Sequence, residues 1–172
     1  MTGLIITGGS INCAFAGAFL KIREFDMVIA VDGGLAAVKS LNIRPDAIVG
    51  DFDTVKGELL EEYRRMGGIA FEQHQPEKDE TDTELALRTA MEAGVNDIVL
   101  LGATGGRLDH SIGNIHLLYA CLQKGVKASI VDEKNRLYIL DQGKTYRFGE
   151  IWGKYISFLP LTEEVHGITL KG

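Results

Sequence analysis

The chain has 172 residues, 45% of them hydrophobic and 24% charged, and a net charge of -6. That length allows one domain, or one domain and part of another, and the composition is that of a soluble globular chain. No basic run or stripe offsets the acidic balance, which excludes nucleic acid as the first partner to consider. No apolar run approaches the ~20 residues of a membrane span. Met1-Thr2-Gly3-Leu4-Ile5-Ile6-Thr7 also lacks the charged start and long apolar stretch of a secretion signal. Cys13 and Cys121 both fall in apolar helical patterns, so two buried thiols in a reducing compartment are expected rather than a disulfide. The expected location is the cytoplasm, with no membrane contact.

Taken in order, Leu4-Ile5-Ile6-Thr7 is a continuous apolar run that ends in Gly8-Gly9-Ser10, the pattern of a buried strand entering a turn. Residues 14–25 predict a helix with Phe15, Phe19, Leu20 and Ile22 on its apolar face. A second buried strand over 27–31 closes on Asp32-Gly33-Gly34, and a short helix follows over 35–41. A third strand over 47–49 stops at Gly50-Asp51-Phe52-Asp53. Residues 58–66 form a helix capped by Gly67-Gly68, and 69–71 read as a fourth strand. Thr81-Asp82-Thr83-Glu84 has the form of a capping box and starts a helix that Gly94 stops. The strand at 98–101 runs into Gly102-Ala103-Thr104-Gly105-Gly106-Arg107-Leu108-Asp109-His110. A helix over 111–123 and a strand over 128–131 complete the alternation. The pattern predicts an α/β domain over residues 1–132, a mostly parallel, Rossmann-like sheet with helices on both faces. Residues 133–172 change style. Strand-like runs at 136–140, 145–148, 154–158 and 165–170 have no helix between them, which predicts part of a second, all-β domain.

In open α/β sheets, ligands bind beyond the C-terminal ends of the strands. Every unusual polar cluster here falls at such an end. Asp51 and Asp53 have period-two spacing, so in an extended chain both carboxylates point one way and Phe52 points back to the core. Two facing carboxylates call for a hard cation such as Mg²⁺; the plain alternative is an Asp-rich turn. Lys78, Asp79 and Asp82 precede a helix, where acids also gain from the helix dipole alone. Gly8-Gly9 and Gly33-Gly34 permit close backbone approach to a ligand or form simple tight turns. Neither makes a dinucleotide fingerprint or a P-loop. Arg107, at the mouth of a helix, suits a phosphate or a salt bridge to Asp109. His110 and Asn114 lie one helical turn apart, whereas His74 and His116 offer no evident chemistry.

Asp32-Gly33-Gly34, Gly50-Asp51-Phe52-Asp53, Lys78-Asp79-x-Thr81-Asp82-x-Glu84 and Gly102-Ala103-x-Gly105-Gly106-Arg107-x-Asp109-His110-x-x-x-Asn114 occur in this order. The set resembles thiamine pyrophosphokinase, most closely the bacterial form, over roughly residues 1–170. The resemblance implies a Mg²⁺-dependent transfer of the diphosphoryl group of ATP to thiamine, giving thiamine diphosphate and AMP. It implies an α/β domain followed by a β-sandwich, and a homodimer with active sites between subunits. By position, Asp51, Asp53 and Asp82 would hold Mg²⁺. Gly9, Asp32, Gly33, Gly34, Lys78, Arg107, Asp109 and Asn114 would line the ATP. Asp79 or Asp82 is the expected general base. Thr54 stands where the family usually has Ser and keeps the hydroxyl. The family's β domain continues into a Ser-Asn-Glu-like segment that helps form the thiamine pocket, and the sequence stops at Gly172 before it. The expectation is therefore a C-terminally shortened form with its ATP–Mg²⁺ half intact.

Two other readings compete. Asp51-Phe52-Asp53-Thr54-Val55 fits the D-x-D-x-[TV] form of haloacid-dehalogenase-like phosphatases, whose first Asp is a nucleophile. That motif normally follows the first strand, whereas two strand–helix units precede it here. The other reading is a non-catalytic nucleotide-binding or sensor protein.

Overall fold

The computed structural model describes residues 1–74, 80–147, 149 and 151–171. Seven strands and five helices succeed one another: β1 (Thr2–Ile6), α1 (Cys13–Ile22), β2 (Met27–Val31), α2 (Gly34–Ser40), β3 (Ala47–Gly50), α3 (Gly57–Met66), β4 (Ala70–Gln73), α4 (Asp82–Glu92), β5 (Asp97–Leu101), α5 (Leu108–Gln123), β6 (Lys127–Val131) and β7 (Arg136–Tyr138). They build one sheet in the order β4-β3-β2-β1-β5-β6-β7. All neighbours run parallel except β6 and β7.

The apolar runs explain why the central strands are continuous rather than alternating. Both faces of a parallel sheet are covered, so every side chain must be apolar. Leu4, Ile6, Ala30, Ile48, Val99 and Leu101 pack on one face against Ala16 and Phe19 of α1, Leu35 and Val38 of α2 and Tyr63 of α3. Ile5, Ile29, Val49, Ile98 and Leu100 pack on the other against Leu85 and Ala90 of α4 and Leu118 and Cys121 of α5. The chain winds outward from β1 to β4 on one side, and α4 carries it back across to β5 on the other. The winding thus reverses between β1 and β5, the point at which open α/β sheets place their ligands.

Several boundaries differ from those expected. The helix predicted to reach residue 25 ends at Ile22, because Arg23 is extended with φ -143°. The Arg23 guanidinium pairs with Asp97 at 3.0 Å, and the Asp26 carboxylate accepts the Thr2 amide at 2.6 Å, drawing the chain straight into β2. Helix α5 starts at Leu108, three residues before the expected 111, with Asp109 in its first turn where the helix dipole favours an acid. Cys13 is exposed rather than buried, because it opens α1 ahead of the packed Ala16 and Phe19; Cys121 is buried as expected.

The first of the four C-terminal runs is a strand, but it pairs antiparallel with β6 and extends the α/β sheet. Beyond Tyr138 the described residues hold no strand. Apolar side chains there lack an opposing layer: Tyr155 is 90% exposed and Leu159 85%. Strands that cannot cover one face do not hold a sheet on their own. Among the described residues, no helix is long and apolar enough to cross a membrane.

Candidate active site

The acidic site is assembled from three places. Asp32 follows β2, Asp51 and Asp53 follow β3, and Asp82 opens α4. Gly50 makes the first junction possible. A Cβ there would sit 1.8 Å from Asp32 Oδ1, so any other residue would expel the Asp32 carboxylate from its place against β3. The carboxylate accepts the Phe52 amide at 3.3 Å. Phe52 itself is buried and meets Phe71 edge-on with ring centroids 6.5 Å apart. The Asp-Phe-Asp turn therefore does send its aromatic inward and its acids outward. It does so through a positive φ of 65° at Phe52 rather than through an extended strand. Asp53 curls back, its amide donating to Asp51 Oδ1 at 3.1 Å.

Like charges crowd Asp32 and Asp53. Burial pushes the Asp32 carboxyl up to about 7, aided by a hydrogen bond shared with Asp82 and by the charges of Asp82 and Asp51. The Asp51 carboxylate, through a hydrogen bond and its charge, pushes Asp53 above the usual range. These are acids that gain from a cation among them. Among the described residues, no three are gathered closely enough to form a finished metal site. Hard carboxylate oxygens in excess nonetheless suit Mg²⁺, which typically takes only one or two carboxylates and completes its shell with substrate phosphates and water. Lys78 and Asp79 lie outside the described residues.

The other flank of the mouth is rich in glycine. The β1–α1 turn and the β5–α5 loop are sewn together by Gly9 N donating to Gly102 O at 2.9 Å and Ser10 N to Thr104 O at 3.0 Å. Gly9 has no room for a side chain: its Cβ would lie 2.1 Å from Gly102 O. Its place in the site is close packing of two loops. Gly33 caps α2 and Gly34 starts it, beside Asp32. Arg107 caps α5 and grips Asp109 through Nε–Oδ1 at 3.1 Å and Nη2–Oδ2 at 2.6 Å, the salt bridge that stood as the alternative to a guanidinium held for phosphate. That bond holds Asp109 below the usual carboxylate range. Both side chains are open to solvent. Asn114 is buried under the loop, and its Nδ2 donates to Ala103 O at 2.9 Å, so it reaches the mouth through the loop it supports.

The structure brings Asp32 into the acidic group, although its sequence context suggested only a nucleotide-lining residue. It also shows Ser10, Thr104 and Asp132 bonded around the β5–α5 loop, none of which the motifs singled out. The one available signal for Asp32 was its place at a strand end beside two glycines.

The side chains sit on a doubly wound α/β protein with an acidic group on one side of the winding reversal and a glycine-rich pair of turns at it. The family model for the thiamin pyrophosphokinase catalytic domain matches residues 20–130. A thiamine pyrophosphokinase of Bacillus subtilis is 36% identical over 151 residues, covering 87% of this chain and 69% of its own length. Thiamine pyrophosphokinase 1 of rice is 34% identical over 140 residues, covering 77% and 52%. The crystal structure of the Bacillus subtilis enzyme aligns with a TM-score of 0.67 at 30% identity, over 79% of this chain and 62% of that one. That of Geobacillus thermodenitrificans aligns at 0.65 and 30%, over 80% and 62%. The chain belongs to the thiamin pyrophosphokinase family, and it spans about two thirds or less of these relatives.

Proposed function

We propose that the protein transfers the diphosphoryl group of ATP to the hydroxyl of thiamine, releasing AMP. The observation that carries this reading is the convergence of Asp32, Asp51, Asp53 and Asp82 at one sheet edge in a chain of this family. The thiamine hydroxyl oxygen bonds to the β-phosphorus, the bond from that phosphorus to the oxygen bridging to the α-phosphorus breaks, and AMP leaves with that oxygen. Such a transfer needs positioning and charge neutralisation more than covalent help from the protein. Asp51, Asp53 and Asp82 would hold Mg²⁺, which when bound neutralises the triphosphate and the charge developing on it. Asp82 or Asp79 takes the hydroxyl proton. Lys78 offers a cation to the phosphates, and Arg107, released from Asp109, does the same at the head of α5. Asp32, Gly9, Gly33 and Gly34 line the nucleotide, while Asn114 positions the loop above it.

The reading extends to a nucleotide-binding domain that takes in β7, followed by a β-sandwich that contributes to thiamine binding. It includes a cytoplasmic homodimer with sites between subunits. The apolar side chains left open after β7 support an arrangement in which further chain covers them.

The decisive assay follows AMP formation from ATP, with and without thiamine and Mg²⁺. Thiamine- and Mg²⁺-dependent AMP is the expected result. Nucleotide binding with no AMP at any thiamine concentration would make the protein a nucleotide-binding module, and phosphate release with a trapped phosphoryl group on Asp51 would make it a phosphatase.

A further inference from the structure

Four successive backbone carbonyls of the β5–α5 loop are tied into the protein, each by a donor from elsewhere. Gly102 O accepts Gly9 N at 2.9 Å and Thr104 O accepts Ser10 N at 3.0 Å. Ala103 O accepts Asn114 Nδ2 at 2.9 Å, and Gly105 O accepts Ser10 Oγ at 2.7 Å. The Thr104 side chain reaches the other way, donating its hydroxyl to Asp132 Oδ2 at 3.2 Å. Asp132 is in turn fixed at the end of β6 by the amides of Lys134 and Asn135, at 2.8 and 2.7 Å, and by Asn135 Nδ2 at 3.0 Å. Local contacts do not require this arrangement, because an ordinary loop leaves its carbonyls to water. With its acceptors engaged, what the loop has left to offer a ligand is donors: its own amides and the first-turn N–H groups of α5 other than that of His110, which the Asp109 carboxylate takes. That is the polarity a polyphosphate requires.

We infer that Ser10, Thr104 and Asp132 are positioning residues, a two-sided clamp that fixes the β5–α5 loop with its donors toward the triphosphate of the nucleotide. The inference rests on the diphosphotransfer reading for the identity of the ligand. The clamp joins the loops after β1, β5 and β6, so it spans the point where the winding reverses and sets the spacing of the loops there. Its members touch the loop rather than the reacting atoms, and they act on nucleotide affinity through the loop.

The test compares Thr104→Val, which keeps shape and removes the hydroxyl, with Thr104→Ser, which keeps the hydroxyl, and with Ser10→Ala. For each, KM for ATP, KM for thiamine and kcat are measured, together with Tm and calorimetric affinity for a Mg²⁺ complex of a non-hydrolysable ATP analogue. Thr104→Val and Ser10→Ala should raise KM for ATP and weaken analogue binding about tenfold, the loss of one hydrogen bond of ~1.4 kcal/mol. KM for thiamine should stay within twofold, and Thr104→Ser should restore ATP affinity. Unchanged analogue affinity in both deletion variants overturns the clamp. So does a loss that Thr104→Ser fails to repair, or one that affects both substrates equally and follows Tm. If the wild type binds the analogue but makes no AMP from thiamine, the diphosphotransfer reading fails while the clamp is still judged by affinity. If the wild type binds no nucleotide, both fall.

Discussion

Asp51 and Asp53 share a turn that brings their charges together. The Asp53 amide donates to Asp51, and the Asp51 carboxylate makes ionisation of Asp53 harder. A fold that stores like-charge repulsion at a strand end loses stability there unless a cation is bound. Asp53→Asn should therefore raise the Tm of the protein in chelator, remove the Tm rise produced by Mg²⁺, and lower Mg²⁺-dependent turnover by ~100-fold, the scale set by losing one charge-stabilising group. A Tm that falls in chelator would show that Asp53 supports the turn rather than straining it. Asp51 and Asp53 stood out by their spacing at a strand end, whereas Asp82 joined them only through the family resemblance, since an acid opening a helix gains from the dipole in any case. Asp32 was readable as a site residue but not as a fourth acid of this group. Its contact with Asp82 depends on β2 lying beside β3 and on α4 packing over them, and no local pattern encodes that neighbourhood.

The strands and helices of the α/β half were legible because burial on both sheet faces leaves long apolar runs between glycine turns. The element ends were less so. Helix α5 gains its first turn from Asp109 and its bond to Arg107, a tertiary-like contact within a stretch that reads as a glycine-rich loop. The run at 136–140 looked like the start of new β structure, yet β7 joins the first sheet, since Asp132 folds the chain back on β6. Burial alone would raise the Asp132 carboxyl, but the amides of Lys134 and Asn135, the Asn135 side chain and the Thr104 hydroxyl hold it below the usual range. A depressed folded-state pKa contributes stability that is present above the unfolded value of about 3.9 and is lost as pH falls through the folded value. Asp132→Asn should thus lower Tm at neutral pH and narrow its gap to wild type as pH drops below about 4. Parallel acid limbs for the two proteins would show that the hairpin acid contributes nothing through its charge.

At the scale of the molecule, the question is how the chain after β7 is held to the α/β body. Trp152, the only tryptophan, meets Phe15 of α1 edge-on at 5.8 Å between ring centroids and Phe19 at 5.9 Å. Phe15 and Phe19 stack at 5.9 Å, so the three rings form one cluster on the face of α1. Such pairs contribute about 0.5–1.5 kcal/mol each beyond the area they bury, enough to bias where a segment lies but not to fold it. That weakness fits a stretch whose larger apolar residues, Tyr155 and Leu159 among them, stay open to solvent. A lone tryptophan makes the docking directly observable. Phe15→Ala should move its emission toward that of a solvent-exposed indole and expose the chain after β7 to faster proteolysis. The thermal transition should change little, because Phe15 is only partly buried at the edge of the core. Wild-type emission already at the solvent-exposed limit, and unmoved by Phe15→Ala, would mean that the segment is not anchored through this ring in solution. Cleavage after β7 at equal rates in both proteins would carry the same meaning, and the attachment would then have to come from the apolar side chains further along the chain.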